Sequence, residues 1–308
     1  MLDGIFNVYK EKGYTSHDVV AKLRGIAGQR KIGHTGTLDP DAEGVLPVCL
    51  GKATKVCGVL TDKSKTYRAV LLLGRRTDTQ DISGACLEER DASGLTPEDV
   101  ERAVKSFLGD YMQTPPMYSA LKVGGKKLYE LAREGKTVER KARKVQIHRI
   151  EIQKMELPRV WLEVECSKGT YIRTLCDDIG EMLGVGGCME ELLRTRVGNF
   201  RIEDSLKLSD LQQYRDTGAL AEHLIPVDRV FETCPRVDVP RYLEALLYNG
   251  NPLRLQGQTG EATQIKDGDV VRMYDCSGRF IALYRYQQKS NLYKNEKMFF
   301  TKNKLAER

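Results

Sequence analysis

The chain has 308 residues, of which 41% are hydrophobic and 30% charged, a balance typical of a globular protein. No apolar run approaches the roughly 20 residues that a membrane helix needs, and the opening MLDGIFNVYKEKG lacks the basic flank and apolar core of a signal peptide. We therefore expect no membrane association and a cytoplasmic location.

Eight cysteines and four histidines are scattered along the chain. No two cysteines have the C-x-x-C spacing that is typical of a zinc site. Single thiols in a chain of this length are typical of reduced residues in a core or a loop. The sequence therefore gives little support to a metal site.

The first predicted helix covers the amphipathic run VVAKLRGIAG. Thr15 and Asp18 precede this run with the spacing of a capping box, which predicts a helix start. A glycine-rich loop follows the helix and contains the stretch GHTGTLDPDAEGVLPVCLGKATK, residues 33–55. In this stretch Asp39, Asp41 and Glu43 alternate and are followed by Gly44.

Two ligand-binding interpretations of this acidic loop fail on spacing. A calcium loop that begins at Asp39 requires a carboxylate at its twelfth position, where the chain has Leu50. A phosphate-binding P-loop also fails, because LGKATK has the lysine without the preceding glycine frame. Composition alone leaves two alternatives, a solvated surface turn or a single reactive acid in a shaped loop.

The middle of the chain alternates strand and helix signals. The nearly continuous apolar run at 67–74 predicts a buried strand. Thr96 and Pro97 begin a helix that should run to Phe107 and end near Gly109. The run GKKLYELAREG predicts a short helix that Gly135 stops.

Residues 122–149 concentrate positive charge. Ten lysines and arginines face three glutamates there, a surplus that exceeds the net charge of +6 of the whole chain. Such a cluster is typical of a site for a polyanion, although a solvated basic face has the same composition. Tyr129 among the cations and the flexible pair Gly124-Gly125 favour nucleic acid.

The remaining elements complete an α+β pattern. KVQIHRIEIQKME and RVWLEVECSKG alternate like strands, and YIRTLCDDIGEMLG places its aliphatic residues on one face of a helix. Beyond Pro235 the run DVVRMYDCSGRFIALYRY predicts two strands joined by a turn at 275–278. We expect a main domain over 1–235 and a small β-rich domain over 236–308.

Four segments, in order, resemble the TruB family of pseudouridine synthases. The string HTGTLDPDAEGVLP, followed by GKATK, is similar to the central motif of that family. The residues from Lys10 to Ser16, the segment KTYRAVLLLGRRTDTQDISG and the segment CSKGTYIRTLCDDIGEMLG resemble three further motifs. PPMYSALKVGGKKLYELAREG resembles the RNA-gripping insertion, which we place at about 112–149, and the C-terminal region resembles a PUA-type RNA-binding domain.

The resemblance implies an α+β catalytic domain with a mixed or antiparallel sheet and helices. It implies isomerisation of uridine to pseudouridine in tRNA, with the uridine at position 55 of the T loop as the target. Asp39 would be the catalytic aspartate, attacking C1′ or the uracil C6 or acting in an elimination that involves the C2′ hydrogen. Since the uracil never departs, one acid suffices, and Asp41 and Glu43 become ordinary loop acids.

The resemblance also assigns partners to Asp39. Arg173 would pair with Asp39 and lower the pKa of Asp39. Tyr67 would stack on the target uracil and act as a proton acceptor. Tyr171 would line the pocket, and His34 would fill the space left by the extruded nucleotide. RNA contacts are expected from six lysines: Lys10, Lys122, Lys126, Lys127, Lys141 and Lys144.

Several positions depart from the family pattern. Glu11 follows Lys10 where proline is usual, Leu193 and Asn199 replace a common arginine and proline, and Glu43 replaces a small or hydroxyl residue. None of these positions is Asp39, Tyr67, Tyr171 or Arg173. The resemblance implies a stand-alone, monomeric enzyme without cofactor or metal, whose partner is the T-arm of tRNA. The alternative is a non-catalytic protein that binds or folds RNA on the same scaffold.

Overall fold

A mixed sheet forms the centre of the main domain. The computed structural model describes residues 1–255 and 265–300. Within these ranges the sheet has nine strands in the order β1-β3-β12-β4-β11-β10-β7, with β13 paired to β12 and β2 paired to β3. The pair β3–β12 is parallel and the other pairs are antiparallel, so the predicted α+β class with a mixed sheet is confirmed.

The strands have the following bounds in chain order. They are β1 Gly4–Lys10, β2 Ile32–His34, β3 Glu43–Leu50, β4 Lys65–Leu73, β5 Arg75–Thr77, β6 Cys86–Glu89, β7 Gly109–Gln113, β8 Lys122–Val123, β9 Lys126–Lys127, β10 Arg143–Glu156, β11 Arg159–Cys166, β12 Gly187–Val197, β13 Phe200–Arg201, β14 Arg236–Asp238, β15 Val270–Tyr274, β16 Phe280–Gln287 and β17 Leu292–Met298.

Seven α-helices lie in the described part of the chain. They are α1 Ser16–Ala27, α2 Cys57–Thr61, α3 Pro97–Ser106, α4 Leu128–Arg133, α5 Ile172–Met182, α6 Leu208–Asp216 and α7 Glu244–Tyr248. Short 3₁₀ turns span Gly51–Val56, Ile202–Asp204, Leu220–His223, Val227–Phe231, Arg241–Leu243 and Gln288–Ser290. None of the helices in these ranges is long and apolar enough to cross a membrane.

Local signals place the helix starts where the sequence predicts them. The Thr15 side chain accepts from the Asp18 backbone N–H while Asp18 binds back to the Thr15 backbone, a complete capping box. Thr96 and Asp99 form the same arrangement before α3, with Pro97 in the first turn. Both predictions are confirmed. A capping box can be predicted from sequence because it satisfies orphan backbone donors with side chains only three residues away.

The apolar strand β4 occupies the middle of the sheet. It pairs with β11 on one side and β12 on the other, and most of its residues are buried. The alternate residues Tyr67, Ala69, Leu71 and Leu73 of β4 face the buried cluster that α3 and α5 complete. α3 and α5 pack with β4, β10 and β11 in one cluster, and α1 and α6 pack with β1 and β3 in another.

A four-stranded sheet, β14-β15-β16-β17, forms the C-terminal unit. Strands β15 and β16 are joined through the turn at 275–278, which confirms the predicted hairpin and the small β domain. The Asp275 carboxylate organises the turn by accepting from the backbone N–H groups of Ser277 and Arg279. Two parts of the predicted domain, 256–264 and 301–308, lie outside the described residues.

Gly44 gives a stability prediction for the contact between β3 and β12. A Cβ at this position would lie 2.2 Å from the backbone oxygen of Arg194, and the φ angle of +106° disfavours any other residue. We expect Gly44→Ala to lower the free energy of unfolding by about 2–4 kcal/mol, measured by urea denaturation.

Gly109→Ala is the matched control. Gly109 has a φ of +94°, and no other heavy atom lies within 4 Å of the point where an alanine methyl group would stand. The free energy of unfolding of Gly109→Ala should fall only by the conformational cost of a left-handed alanine, about 1–2 kcal/mol. Equal losses in the two variants would show that close approach to Arg194 does not matter.

Candidate active site

The predicted catalytic residues come from separate elements and lie close together around the half-exposed Asp39, in the region called the cleft below. Asp39 lies in the turn between β2 and β3, Tyr67 lies on β4, and Arg173 lies in the first turn of α5, which Tyr171 precedes. Leu38 and Ala42, on either side of Asp39, share a buried cluster with Tyr67 and Ile172. The chain therefore brings together residues that are more than 130 positions apart in sequence.

Short-range hydrogen bonds hold the turn that carries Asp39. The Asp39 carbonyl accepts from the Ala42 backbone N–H at 3.1 Å, and the Pro40 carbonyl accepts from the Gly13 N–H at 3.0 Å. The Leu38 N–H donates to the Ser16 hydroxyl at 3.0 Å, which ties the loop to the start of α1. The position of Asp39 is thus set by the backbone before any ligand binds.

Lys10 lies beneath this turn and is fully buried. Its Nζ donates to the carbonyls of Glu11, Pro40 and Ala42 at 3.1, 3.0 and 2.6 Å. Burial lowers the pKa of Lys10 to about 8. The resemblance assigned this side chain to RNA contact, whereas in the structure it holds the Asp39 loop through backbone carbonyls, including that of Glu11.

Arg173 stands between two carboxylates. Its Nη1 lies 3.5 Å from Oδ2 of Asp39 and 3.6 Å from Oδ2 of Asp81, and its side chain is only 7% exposed. The Nη2 group donates to the Tyr118 carbonyl. One guanidinium is therefore shared by two carboxyl groups that come from different loops.

Asp81 is a site residue that sequence reasoning did not single out. Its segment, RRTDTQDISG, was compared with a family motif only as a block, and Asp81 has no local signal that separates it from Asp78. In the structure the Asp81 Oδ1 accepts from the hydroxyls of Thr79 and Ser83. Its Oδ2 is the oxygen that faces Arg173.

The pKa of Asp39 is raised above its ordinary value, so the prediction that Arg173 lowers this pKa holds for the contribution of Arg173 and not for the net shift. Loss of water in the cleft is the main cause, and the negative charge of Asp81 adds to it. Arg173 acts in the opposite direction without overcoming these two effects. The carboxylate nevertheless has access to a ligand, because the Asp39 side chain is 41% exposed.

Tyr67 is a buried neighbour of the Asp39 loop. Burial raises the pKa of Tyr67, and the adjacent Arg194 offsets part of the rise. Arg194 is itself 1% exposed and donates through Nε to the Val45 carbonyl at 2.7 Å. Sequence reasoning missed Arg194, since it considered only its neighbour Leu193.

Tyr171 is held at the start of α5 by a glutamine from β7. The Tyr171 N–H donates to Oε1 of Gln113 at 2.9 Å, and Nε2 of Gln113 donates to the Tyr171 carbonyl at 2.9 Å. Gln113 is 1% exposed. The guanidinium of Arg173 lies 5.9 Å from the centroid of the Tyr171 ring.

His34 ends β2 beside the same loop. Its ring lies edge-on to that of His17 with centroids 5.4 Å apart, and its Nδ1 is buried without a hydrogen-bond partner among the described residues. Burial lowers the pKa of His34, with a smaller contribution from His17. The ring is therefore neutral at pH 7.

The two other loop acids have different surroundings. Asp41 is exposed, while Glu43 accepts from the Tyr9 hydroxyl at 3.1 Å at the start of β3. The described residues contain no group of three or more His, Cys, Asp or Glu side chains that could hold a metal ion.

The predicted insertion at about 112–149, called the basic insertion below, lies largely at the surface, and its N-terminal part contacts Arg173. Lys122, Lys126, Lys141 and Lys144 lie in this segment, and Lys127 is half-buried with its Nζ 3.1 Å from the Tyr129 hydroxyl. Two of these lysines also have acidic neighbours, Lys126 with Glu134 at 3.2 Å and Lys144 with Asp110 at 2.7 Å. The link to the cleft is the Tyr118 carbonyl, which binds Arg173.

A cavity of about 590 Å³ lies away from this cleft, where the C-terminal sheet meets the main domain. Arg229, Arg236, Arg272 and Arg279 line it together with Tyr274. Two of these cations are already paired, Arg229 with Glu232 and Arg236 with Asp238.

Family models match most of the main domain. The model described as the TruB family pseudouridylate synthase N-terminal domain matches residues 24–172. The model described as the tRNA pseudouridylate synthase B C-terminal domain matches residues 173–232. The boundary between the two matches falls at Arg173.

Curated relatives match over nearly the full chain. A tRNA pseudouridine synthase B of Lachnoclostridium phytofermentans is 51% identical and covers 97% of this chain and 100% of its own length. The enzymes of Clostridium tetani and Bacillus pumilus with the same name are 45% and 41% identical, covering 92% and 97% of this chain and 95% and 98% of their own lengths.

Solved structures with the same fold are also found. A chain from a Cbf5-Nop10-Gar1 complex superposes with a TM-score of 0.74 at 29% identity and covers 97% of this chain and 86% of its own. A chain from an H/ACA RNP bound to a substrate RNA containing 2′-deoxyuridine gives 0.73 at 28% identity, with the same coverage.

The shared arginine predicts how the pKa of Asp39 responds to Asp81. Asp81→Asn removes a negative charge that raises the pKa of Asp39 and leaves Arg173 to Asp39 alone. We expect the pKa of Asp39 to fall, measured by titrating the carboxyl ¹³C shift of labelled aspartate.

Asp41→Asn is the control for this titration. Asp41 is exposed and its effect on the pKa of Asp39 is the smallest of the named charges, so the fall should be smaller. An unchanged or higher pKa in Asp81→Asn would contradict the arrangement of Asp39, Arg173 and Asp81.

Proposed function

Because this chain belongs to the TruB family of pseudouridine synthases, we propose that it isomerises uridine 55 in the T loop of tRNA. The family converts uridine to pseudouridine, so the chain is an isomerase, and the curated relatives act on tRNA. The observation that carries the proposal is the pair of Asp39 and Arg173 at the centre of a cleft.

The reaction requires one bond to break and another to form within the same nucleotide. The N1–C1′ bond breaks, the uracil turns, C5 joins C1′, the C5 hydrogen leaves as a proton and N1 gains one. The Asp39 carboxylate serves as nucleophile at C1′ or C6, or takes part in elimination of the C2′ hydrogen. The three routes share one requirement, an ionised Asp39 with an open face.

The surroundings of Asp39 affect both its charge and its basicity. Arg173 stabilises the charged form at 3.5 Å, while Asp81 and the loss of water raise the pKa of Asp39 and make the carboxylate more basic than in solution. A carboxylate with a raised pKa is also a better nucleophile. Asp81 contacts Arg173 and not the reacting atoms in this proposal, so its role is positioning.

The aromatic residues supply the walls for the base. We assign Tyr67 to stacking on the flipped uracil and to proton removal, and Tyr171 to the opposite side of the pocket. Stacking on aromatic rings is the common way in which proteins hold an unpaired RNA base. We assign His34 to the space that the extruded nucleotide leaves. Burial lowers the pKa of this ring and so favours its uncharged form.

The basic insertion accounts for RNA affinity. Extruding a base from a folded loop costs a few kcal/mol, which contacts to phosphates help to offset. The five lysines of the segment at about 112–149, which are Lys122, Lys126, Lys127, Lys141 and Lys144, provide these contacts. The tRNA substrate also favours the cytoplasmic location expected above, and a single cleft on one chain is compatible with a monomer.

The alternative function is RNA binding or folding without catalysis. The basic insertion and the C-terminal sheet would serve it equally well. The Asp39–Arg173 pair argues against it, because a scaffold that only binds RNA has no use for a guanidinium shared by two acids in a cleft.

The catalytic assignment is tested by Asp39→Asn. This change removes the ionisable group and keeps the size of the side chain. We expect single-turnover release of tritium from tRNA labelled at C5 of uridine to fall by at least about a thousandfold, while the tRNA Kd changes less than about threefold.

Asp41→Asn is the matched control in the same turn, and it should retain nearly the full rate. Tritium release from Asp39→Asn at the wild-type rate would overturn the catalytic assignment. Wild-type protein that binds tRNA without releasing tritium would favour the non-catalytic alternative.

The role of the insertion is tested through the salt dependence of binding. Replacing Lys126, Lys127, Lys141 and Lys144 with glutamine should weaken tRNA binding and flatten the plot of log Kd against log salt by up to about one unit of slope per lysine. The control replaces four exposed lysines of the main domain, Lys22, Lys31, Lys105 and Lys154. Equal effects in the two variants would indicate a general charge effect without a site.

A further inference from the structure

We propose that Gln80 is a positioning residue for the reaction, because its side chain joins the loop of Asp81 to the helix of Arg173. The inference rests on the proposed function, in which Arg173 supports Asp39. Gln80 does not contact Asp39 and it belongs to no group that the chemistry requires. Its effect is transmitted through Asp81.

The backbone of Gln80 adopts an unfavourable conformation. Its φ angle is +66°, a left-handed value that only one other non-glycine residue in the described part of the chain shares. Such a conformation is disfavoured for residues that carry a Cβ. Main-chain bonds to β12 maintain it, since the Gln80 carbonyl accepts from the Met189 N–H at 3.0 Å and the Ile82 N–H donates to the Met189 carbonyl at 2.9 Å.

The side chain of Gln80 then reaches α5. Its Nε2 donates to Oδ2 of Asp177 at 2.9 Å, and its Oε1 accepts from the Thr174 hydroxyl at 2.6 Å. Asp177 and Thr174 are 6% and 2% exposed. They lie on the same helix as Arg173, and Thr174 is its direct neighbour.

The other oxygen of Asp177 is occupied as well. Oδ1 of Asp177 accepts from Nε of Arg76 at 3.1 Å. Asp177 therefore cannot turn towards another donor without losing an ion pair. The Gln80 carboxamide therefore has two different partners. The Asp177 carboxylate only accepts, and the Thr174 hydroxyl donates.

The consequence reaches Asp81, the next residue. Thr79 and Ser83 hold its Oδ1, so the direction of Oδ2 follows the loop as a unit. When Gln80 ties that loop to α5, Oδ2 of Asp81 stays 3.6 Å from Nη1 of Arg173. Without the tie, the loop is free to move away from α5 and to withdraw Asp81 from the guanidinium.

A glutamine suits this site because an amide donates and accepts at once. Glutamate would bring a second carboxylate against Asp177, and glycine would leave two nearly buried polar groups without a partner, which is unfavourable. The hydrogen bond between positions 80 and 177 can therefore be tested by exchanging its amide and carboxylate. In Gln80→Glu combined with Asp177→Asn, the new amide at position 177 donates to the carboxylate at position 80, and its oxygen still accepts from Arg76.

The exchange is measured by single-turnover tritium release and by the tRNA Kd. We expect Gln80→Glu to react about tenfold or more slowly with the Kd within about twofold of wild type, and Asp177→Asn to be slowed as well. The double variant should recover to within about threefold of the wild-type rate. A wild-type rate for Gln80→Glu, or a double variant no faster than the slower single variant, would overturn the proposal.

Gln80→Gly keeps the proposal testable if a charged variant fails to fold. Glycine accepts the left-handed φ without strain and removes the side chain that ties the loop to α5. We expect the same slowing, and a shift of the acid limb of the rate profile to lower pH, because a withdrawn Asp81 no longer raises the pKa of Asp39. A full rate or an unshifted limb would contradict the role.

The same assay separates this inference from the proposed function. In a background of Asp81→Asn, Gln80→Gly should cause little additional loss, since its effect passes through Asp81. If the wild-type protein releases no tritium, the proposed function falls, and if Asp39→Asn reacts like wild type, the catalytic assignment of Asp39 falls, whatever Gln80 does. If Asp39→Asn is inactive and Gln80→Gly is not slowed, only the role of Gln80 falls.

Discussion

The arginine that two aspartates share is the interaction on which the cleft depends. Arg173 lies 3.5 Å from Asp39 and 3.6 Å from Asp81, and the two acids come from loops that no strand pairing joins directly. A guanidinium that is 7% exposed is costly to bury without partners, and two carboxylates at this spacing repel without it. Arg173 therefore needs both carboxylates nearby, and the carboxylates need Arg173 between them. Because Asp39 and Asp81 lie on different loops, each loop needs its own support.

For the Asp39 loop, that support comes from two buried cations that donate to backbone carbonyls. Lys10 holds the Asp39 turn through three carbonyls, and Arg194 holds its far end through the Val45 carbonyl. Neither cation forms an ion pair in the described residues. Carbonyl contacts satisfy their charge without a carboxylate, and Arg173 is the cation with the largest effect on the pKa of Asp39.

Elements set by neighbours in sequence were predictable, and those set by distant contacts were not. The capping boxes at Thr15 and Thr96 and the hairpin turn at 275–278 depend on residues within four positions, and the structure confirms them. The role of Lys10 required the fold of a loop 30 residues away. The same holds for Asp81, which nothing in its own sequence distinguishes from Asp78.

The pKa of Asp39 shows why a pairing alone does not determine electrostatics. The resemblance supplied the cation and implied a lowered pKa, but the structure adds the loss of water and a second acid, and their sum raises it. The same cation also donates to the Tyr118 carbonyl at the base of the basic insertion. The charge of Asp39 is thereby tied to the segment assigned to tRNA binding, so a movement of that segment on RNA binding would change the environment of the reacting carboxylate.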